Sequence, residues 1–208
     1  MSKSEREYRN MTIEVRTEPE QDERMVVRGY ASTFNQPYTL YQGDDWRLDE
    51  VVDSSAFDNT DMSDVIMQYD HQGRVFARIS NNTLTVTADE RGLLIEADLG
   101  GTELGRQLYD EIAKGYTNKM SFGFTVDGEE TTRAKADDIE VHTRRITSVR
   151  KLYDVSAVSI PANDATTISV RNLTDGVIEK IQAERLEAEA LELRRRKLLA
   201  KAKLNGGQ

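Results

Sequence analysis

The most constraining feature of the sequence is the run Lys119–Val126, KMSFGFTV. Its apolar residues alternate with small or polar ones, which is the period of two expected of a β-strand with one buried face. Ser121 falls on the face opposite the apolar side chains, and Gly123 leaves room beside it for another group to approach the hydroxyl. From this strand alone, the simpler interpretation of Ser121 is an ordinary polar position on a half-exposed strand.

Composition limits the classes of protein that this chain can belong to. At 208 residues it is long enough for one domain with a proper core plus an appendage. It contains no cysteine, which excludes disulfides, thiolate metal sites and a cysteine nucleophile. Neither a membrane-spanning apolar run nor an apolar signal core appears near the N-terminal MSKSEREYRN. We therefore expect a protein of a cytosol-like compartment with no membrane partner.

The net charge of −9 is unevenly distributed along the chain. Residues 172–208 carry eight basic and six acidic side chains, so their net charge is +2 and that of the first 171 residues is −11. Nucleic-acid-binding proteins neutralise phosphates with basic side chains, so the acidic body argues against nucleic acid as the main partner. Polypeptide partners suit such a surface better.

Alternating apolar segments bounded by turn formers predict a mostly β domain over residues 12–171. One helix is expected inside it, with Thr102 as N-cap and Gly115 at its end. Residues 1–11 are polar, and we expect them to form a disordered arm. The segments Phe34–Trp46 and Asp127–Asp138 are predicted loops. The predicted strands are Thr12–Arg16, Met25–Ser32, Leu48–Val52, Val65–Tyr69, Arg74–Ile79, Thr83–Thr87, Gly92–Asp98, Lys119–Val126, Ile139–Thr147, Val149–Ile160 and Thr167–Arg171.

The C-terminal segment 172–208 differs in character from the rest. Val177–Leu204 contains no proline or glycine and is rich in Ala, Leu, Glu, Arg and Lys, which predicts a single long helix. A heptad pattern is present but is interrupted by Glu184 and Arg195, so the coiled-coil signal is weak. Because so long a helix gains little stability without a surface to pack on, a docking, self-association or propeptide-like role is favoured over an exposed tail.

Few residues are available to assist a serine nucleophile. A serine hydroxyl attacks a carbonyl only when a base accepts its proton, and the sequence offers two histidines, His71 and His142. His71 follows a strand and sits in a turn, from which its ring can reach a neighbouring strand. The base needs an acidic partner, and Asp154 is an acid within KLYDVSAVSI, which otherwise indicates a core strand. When each of these residues is considered alone, the simpler interpretation is a structural or solvent-exposed position.

The motifs of several other enzyme classes are absent from the sequence. It contains no His-Glu-x-x-His, GxSxG, Walker or GxGxxG pattern. A metal-dependent hydrolase that uses His71 with acidic neighbours is a further hypothesis, weakened by the lack of metal-ligand spacing.

Several segments, taken in order, resemble the prohead maturation proteases of tailed bacteriophages, a serine protease family similar in fold to the herpesvirus assemblins. The resemblance covers roughly residues 12–171. It lies in RGYASTF at 28–34, YDH at 69–71, DERGLLIEADL at 89–99, GRQLYDEI at 105–112, KMSFGFTV at 119–126 and KLYDVSAVSIPAN at 151–163. It implies an α+β fold with a mostly antiparallel, barrel-like β core and flanking helices, followed here by the long C-terminal helix.

Carried over residue by residue, the resemblance places the catalytic histidine at His71, the nucleophile at Ser121 and the acidic third member at Asp154. The third member is often glutamate in the family, so the shorter Asp154 implies a closer backbone approach to His71. The assemblins use a second histidine as third member, for which His142 is the weaker candidate. Oxyanion stabilisation is not visible in the sequence; backbone N–H groups near Ser156 and the side chain of Arg145 are the candidates.

The resemblance also implies substrates, partners and place of action. Such a protease acts in the host cytoplasm, inside the procapsid, on the scaffolding protein or the scaffolding domain of the major capsid protein, and on itself. It requires no metal or cofactor. The alternative is a non-catalytic head-assembly or scaffold protein that retains the protease fold.

Overall fold

The computed structural model describes residues 6–11, 16–17, 24–136, 139–159 and 174–205. The chain divides into two compact units, residues 1–170 and residues 171–208. The strands of the first unit are β1 (Glu7–Met11), β2 (Arg16–Thr17), β3 (Val26–Thr33), β4 (Tyr38–Gln42), β5 (Trp46–Val52), β6 (Ile66–Tyr69), β7 (Gln72–Arg78), β8 (Leu84–Ala88), β9 (Gly92–Asp98), β10 (Lys119–Ala136) and β11 (Ile139–Val158).

These strands form two sheets. The larger sheet has seven strands in the order β1-β10-β11-β5-β4, and β6 pairs with both β11 and β7. The smaller sheet has four strands in the order β2-β3-β9-β8. The pairings of β11 with β5 and β6 are parallel, and the other pairings of the described strands are antiparallel.

The predicted α+β class is confirmed, whereas the barrel-like arrangement is not. Within the described strands, neither sheet closes on itself. Instead, the two sheets and one helix share a single hydrophobic core. Its buried side chains include Val27, Ala31, Leu93 and Ile95 of the smaller sheet, Met67, Phe122, Phe124, Leu152 and Val155 of the larger sheet, and Leu108 and Ile112 of the helix.

The helix of the first unit, α1 (Glu103–Ala113), begins and ends as the sequence predicts. The Thr102 side chain accepts a hydrogen bond from the backbone N–H of Gly105 at 2.9 Å, the geometry of an N-cap. Gly115 follows the last turn with a φ of +77°, a left-handed conformation that favours glycine. Leu108 and Ile112 are buried, whereas Leu104, one turn before Leu108, is exposed.

Four strand assignments differ from the sequence-based predictions. Residues 7–11 were expected to be disordered, but they form β1, which pairs with β10. The predicted loop Phe34–Trp46 contains β4, which pairs with β5. The predicted loop Asp127–Asp138 is for its described part an extension of β10, and β11 is one strand of 20 residues where two were expected. The strand predicted at Thr167–Arg171 lies outside the described residues, as do residues 12–15.

The second unit contains the helix α2 (Thr174–Asn205), in agreement with the predicted long helix. Several of its leucines are exposed: Leu186, Leu191, Leu193 and Leu198. Within the described ranges, no helix combines the length and the apolar character needed to cross a membrane. The docking or self-association role of this segment stays a prediction.

Candidate active site

The β10–β11 hairpin brings two of the predicted site residues onto one face of the larger sheet. Ser121 pairs with Ser156, and Gly123 pairs with Asp154. Directly paired residues share a face, and residues two apart along a strand share it too. Because Gly123 has no side chain, the Asp154 carboxylate occupies the space above it, beside Ser121.

His71 reaches this face from the turn between β6 and β7. Only Asp70 and His71 separate Tyr69 from Gln72, which pair with each other, and their φ angles are +47° and +58°. Two positive φ angles in a two-residue hairpin loop are typical of a type I′ turn. Since β6 runs beside β11, with Tyr69 opposite Ala157, the turn projects the imidazole of His71 over Ser121 and Asp154.

The His71 imidazole lies between the other two side chains. Its Nε2 is 2.5 Å from the Ser121 hydroxyl oxygen, and its Nδ1 is 2.5 Å from Oδ1 of Asp154. Ser121 and Asp154 are fully buried, and 16% of the His71 side chain is exposed. The hydroxyl of Ser156 donates to the same Oδ1 at 2.9 Å. The structure therefore brings all three sequence-predicted site residues into one hydrogen-bonded row.

Strand β1 covers the row from the edge of the sheet. The Arg6 guanidinium forms an ion pair with Oδ2 of Asp154, and the Tyr8 ring lies 4.4 Å from the His71 ring, centroid to centroid. The backbone carbonyl of Arg9 accepts a hydrogen bond of 2.7 Å from the Ser121 hydroxyl. Sequence reasoning missed these three residues, and it wrongly expected the polar face of β10 to be half-exposed.

Comparison with known proteins identifies the family. Residues 11–179 match the family model described as "Caudovirus prohead serine protease". The chain belongs to this family of prohead serine proteases. No curated protein and no solved structure matched the chain significantly. The matched range contains His71, Ser121 and Asp154, and it begins after Arg6 and after Tyr8 and Arg9 of β1.

A buried cluster of charges lies on the opposite face of β1 and β10 from the row, because Glu7 and Arg9 pair with Phe124 and Phe122. The Arg9 side chain donates to Glu50 from Nε at 2.6 Å and from NH2 at 2.9 Å. Arg144 of β11 donates to Glu50 at 2.8 Å and to Glu7 at 2.7 Å, and it also binds Glu129. Burial disfavours the charged form of both arginines, but the surrounding carboxylates outweigh it and raise the pKa of Arg9 and of Arg144.

The alternative third member, His142, lies elsewhere on β11. Its ring packs against Trp46, with ring centroids 5.6 Å apart, and its Nε2 is 3.1 Å from Glu140. Arg145 contacts Asp53 and Asn35, both at 3.1 Å. It precedes Asp154 by nine residues, or up to roughly 30 Å of strand at 3.3 Å per residue. Neither residue is thus placed beside Ser121, which removes Arg145 as an oxyanion candidate in this arrangement.

In the part of the chain that the structure describes, no group of three or more histidine or acidic side chains is arranged to hold a metal ion. The contacts of His71 are instead those of an imidazole placed between a hydroxyl and a carboxylate.

Proposed function

We propose that this member of the prohead serine protease family is an endopeptidase in which Ser121 is the nucleophile, His71 the general base and acid, and Asp154 the group that orients His71. The observation that carries the proposal is the position of the His71 ring, 2.5 Å from Ser121 on one side and 2.5 Å from Asp154 on the other.

The reaction is an acyl transfer in two halves. With Nδ1–H donated to Asp154, Nε2 of His71 accepts the Ser121 proton as the serine oxygen attacks the scissile carbonyl carbon. The imidazolium then gives that proton to the leaving amine, and an ester of Ser121 remains. His71 next takes a proton from the water that attacks the ester carbonyl, and it gives this proton to the serine oxygen as the ester bond breaks, which releases the acid product and restores the Ser121 hydroxyl. No step needs a metal or a cofactor.

The family supports a role in capsid maturation. The proposed substrates are the scaffolding protein or the scaffolding domain of the major capsid protein, together with the protease itself, and the proposed place of action is the procapsid within the host cell. The proposed partners are accordingly the major capsid protein and the scaffold.

Co-expression with the major capsid protein and the scaffold tests the proposal, with products read by mass spectrometry. Ser121→Ala should abolish cleavage, because among the described residues the Ser121 hydroxyl is the one that lies against His71 Nε2. Asp154→Asn should lower the rate on the order of 10³- to 10⁴-fold, because the amide no longer fixes the productive tautomer of His71. Ser148→Ala serves as the matched control, since Ser148 lies on the same β11 strand opposite Gly128.

Two outcomes would favour the other hypotheses. Unchanged cleavage in Ser121→Ala, or no cleavage by the parent chain at all, would favour a non-catalytic head-assembly protein. Loss of cleavage on addition of a chelator would favour a metal-dependent hydrolase.

A further inference from the structure

Strand β1 and Arg6, the residue immediately before it, together contact each of the three proposed catalytic residues. Arg6 binds the Asp154 carboxylate, the Tyr8 ring lies against the His71 ring, and the Arg9 carbonyl receives the hydrogen bond of Ser121. An unrelated edge strand has no reason to contact all three groups, whereas a peptide in a protease active site does.

The backbone of β1 lies where a substrate peptide would lie. It is the outermost strand of the larger sheet and pairs antiparallel with β10, with Glu7 opposite Phe124 and Asn10 opposite Ser121. An extended peptide that adds to a sheet edge gains main-chain hydrogen bonds that do not depend on its sequence. In this pairing the carbonyl that faces the nucleophile belongs to Arg9, so Arg9 stands for the residue before a scissile bond.

The Arg9 carbonyl contacts Ser121 as a bound strand would, and its geometry is not that of a bond under attack. A serine hydroxyl has one proton, and two acceptors face it here: Nε2 of His71 at 2.5 Å and the Arg9 carbonyl oxygen at 2.7 Å. A hydroxyl that donates to the carbonyl oxygen does not present its lone pair to the carbonyl carbon. The carbonyl also competes with His71 for the proton that the base must accept.

The Arg9 side chain enters a pocket that suits an arginine. Glu50, which is fully buried, receives two hydrogen bonds from the Arg9 guanidinium. The Phe124 ring centroid lies 5.6 Å from Cζ of Arg9. Such a two-pronged contact matches the planar guanidinium. Without β1, the ion pairs recorded among the described residues of the pocket are those of Glu50 and Glu129 with Arg144. These three side chains therefore have one negative charge in excess, which a basic substrate side chain would neutralise.

We propose that the β10 edge from Met120 to Phe124 is the substrate-binding strand, that Glu50 selects arginine at the residue before the scissile bond, and that β1 is a built-in occupant of this site which substrates must displace. The proposal rests on the proposed function, since it assigns the substrate class of the same site. The displacement exchanges one strand for another with equivalent contacts, so β1 competes with the substrate and lowers its apparent affinity.

Peptide binding to the inactive full chain tests the proposal without relying on turnover. The probes are fluorescein-labelled peptides of residues 5–14, EREYRNMTIE, with arginine, lysine, leucine or glutamate at the position of Arg9. Their dissociation constants for Ser121→Ala are measured by fluorescence anisotropy. We expect the arginine peptide to bind at least about tenfold more tightly than the leucine peptide, because a buried charged hydrogen bond is lost in the latter. Equal affinities would overturn the proposal.

The built-in occupant is tested in the same assay by weakening β1. Adding Arg9→Ala to Ser121→Ala should tighten binding of every peptide by the same factor, because the competing strand is held less firmly. Arg28→Ala is the matched control, since Arg28 lies on β3 in the smaller sheet and is 45% exposed. If Arg9→Ala impairs folding, the specificity is still decided by Ser121→Ala alone, from the ratio of the dissociation constants of the arginine and leucine peptides. Competition from β1 lowers both affinities by the same factor and leaves this ratio unchanged.

Cleavage of the same peptides separates this proposal from the proposed function. The parent chain should cut the arginine peptide after arginine, and Arg9→Ala should cut it faster. Cleavage without preference for arginine would overturn the present proposal and leave the protease assignment intact. Selective binding by Ser121→Ala with no cleavage by the parent would contradict the protease assignment and leave the strand site standing.

Discussion

Gly123 is the residue on which the geometry of the site most depends. A Cβ at this position would lie 2.4 Å from Oδ2 of Asp154 and 2.8 Å from the Tyr8 ring. Both distances are too short for real contacts, so any side chain here must displace the carboxylate. The absence of a side chain at Gly123 is what lets Asp154, a short acid, reach His71.

Gly123→Ala should therefore lower peptide cleavage by about 100-fold or more, because a displacement of about 1 Å at a catalytic group is enough for such a loss. The measurement is kcat on a peptide substrate, with folding checked by circular dichroism. Gly101→Ala is the control, since no atom lies within 4 Å of a Cβ built at Gly101. An active Gly123→Ala would mean that Asp154 does not act from its place above residue 123.

At the level of single residues, the sequence indicated the side chains that we propose to carry the chemistry, and it gave no sign of those around them. His71, Ser121 and Asp154 could be predicted from the sequence because a resemblance to known proteases assigns them roles. The residue types alone left these roles open. Arg6, Tyr8 and Arg9 gave no such signal. The buried residues of β1, Glu7 and Arg9, are held by ion pairs, so the segment lacks the alternating apolar residues from which a strand is predicted.

The β6–β7 turn is the element that positions His71. Both of its loop residues adopt the left-handed conformation, which is unfavourable for residues other than glycine and is tolerated better by aspartate than by most. The Asp70 carboxylate is anchored by Ser159, whose backbone N–H and hydroxyl each donate to it at 2.9 Å. These bonds offset the strain of the turn and fix the direction of the His71 side chain.

Asp70→Ala should destabilise the fold by about 1–3 kcal/mol, since it removes both hydrogen bonds and places alanine in the left-handed region. It should also lower kcat, because the His71 ring loses its fixed position. Urea denaturation gives the stability, and Asp70→Asn is the comparison, because asparagine tolerates the conformation and keeps an acceptor. A fully stable and active Asp70→Ala would show that the turn is held by other contacts.

Strands were predictable where one face meets the core and unpredictable where the pairing is polar. The segments around Phe122 and Leu93 carry apolar residues at every second position, and both were assigned correctly. The extension of β10 beyond Val126 consists of polar, exposed residues, and it is a strand only because β11 pairs with it residue by residue. Such pairing is a tertiary property that a local pattern does not contain.

The whole first unit depends on a buried cluster of charges, Glu7, Arg9, Glu50 and Arg144, as well as on its apolar core. Burial alone would raise the pKa of Glu7, but the hydrogen bond from Arg144 and the charges of Arg9 and Arg144 outweigh it and lower the pKa. A carboxylate whose pKa is lowered in the folded state stabilises the fold at pH values above its pKa in the unfolded chain, which for Glu7 is 4.5. This contribution is lost as the pH falls through the folded value.

The urea midpoint should therefore fall as the pH is lowered from about 5 to about 3. Asp53 and Asp89, whose pKa values are also lowered by hydrogen bonds, contribute in the same direction. In Glu7→Gln, the midpoint near neutral pH should be lower than in the parent chain and its dependence on pH weaker. An identical pH dependence in the two proteins would show that Glu7 is not held as a carboxylate in the folded state.

The separation of the chain into two units predicts that they serve different tasks. Deleting residues 172–208 should leave cleavage of a short peptide largely intact, because the proposed catalytic row lies wholly within the first unit. The same deletion should reduce incorporation into procapsids, measured by the amount of protease that sediments with them. Equal loss of both properties would mean that α2 belongs to the catalytic fold.

Covalent labelling by a fluorophosphonate shows whether Ser121 is an activated nucleophile, because such reagents react with a serine hydroxyl that a neighbouring base has activated. The full chain and its Arg9→Ala variant are incubated with the reagent, and the modified residue is located by peptide mass spectrometry. We expect a single phosphonylated residue, Ser121, whose labelling disappears in His71→Ala. Labelling of a different serine, or equal labelling of Ser121 with and without His71, would contradict the proposed catalytic role of Ser121 and His71.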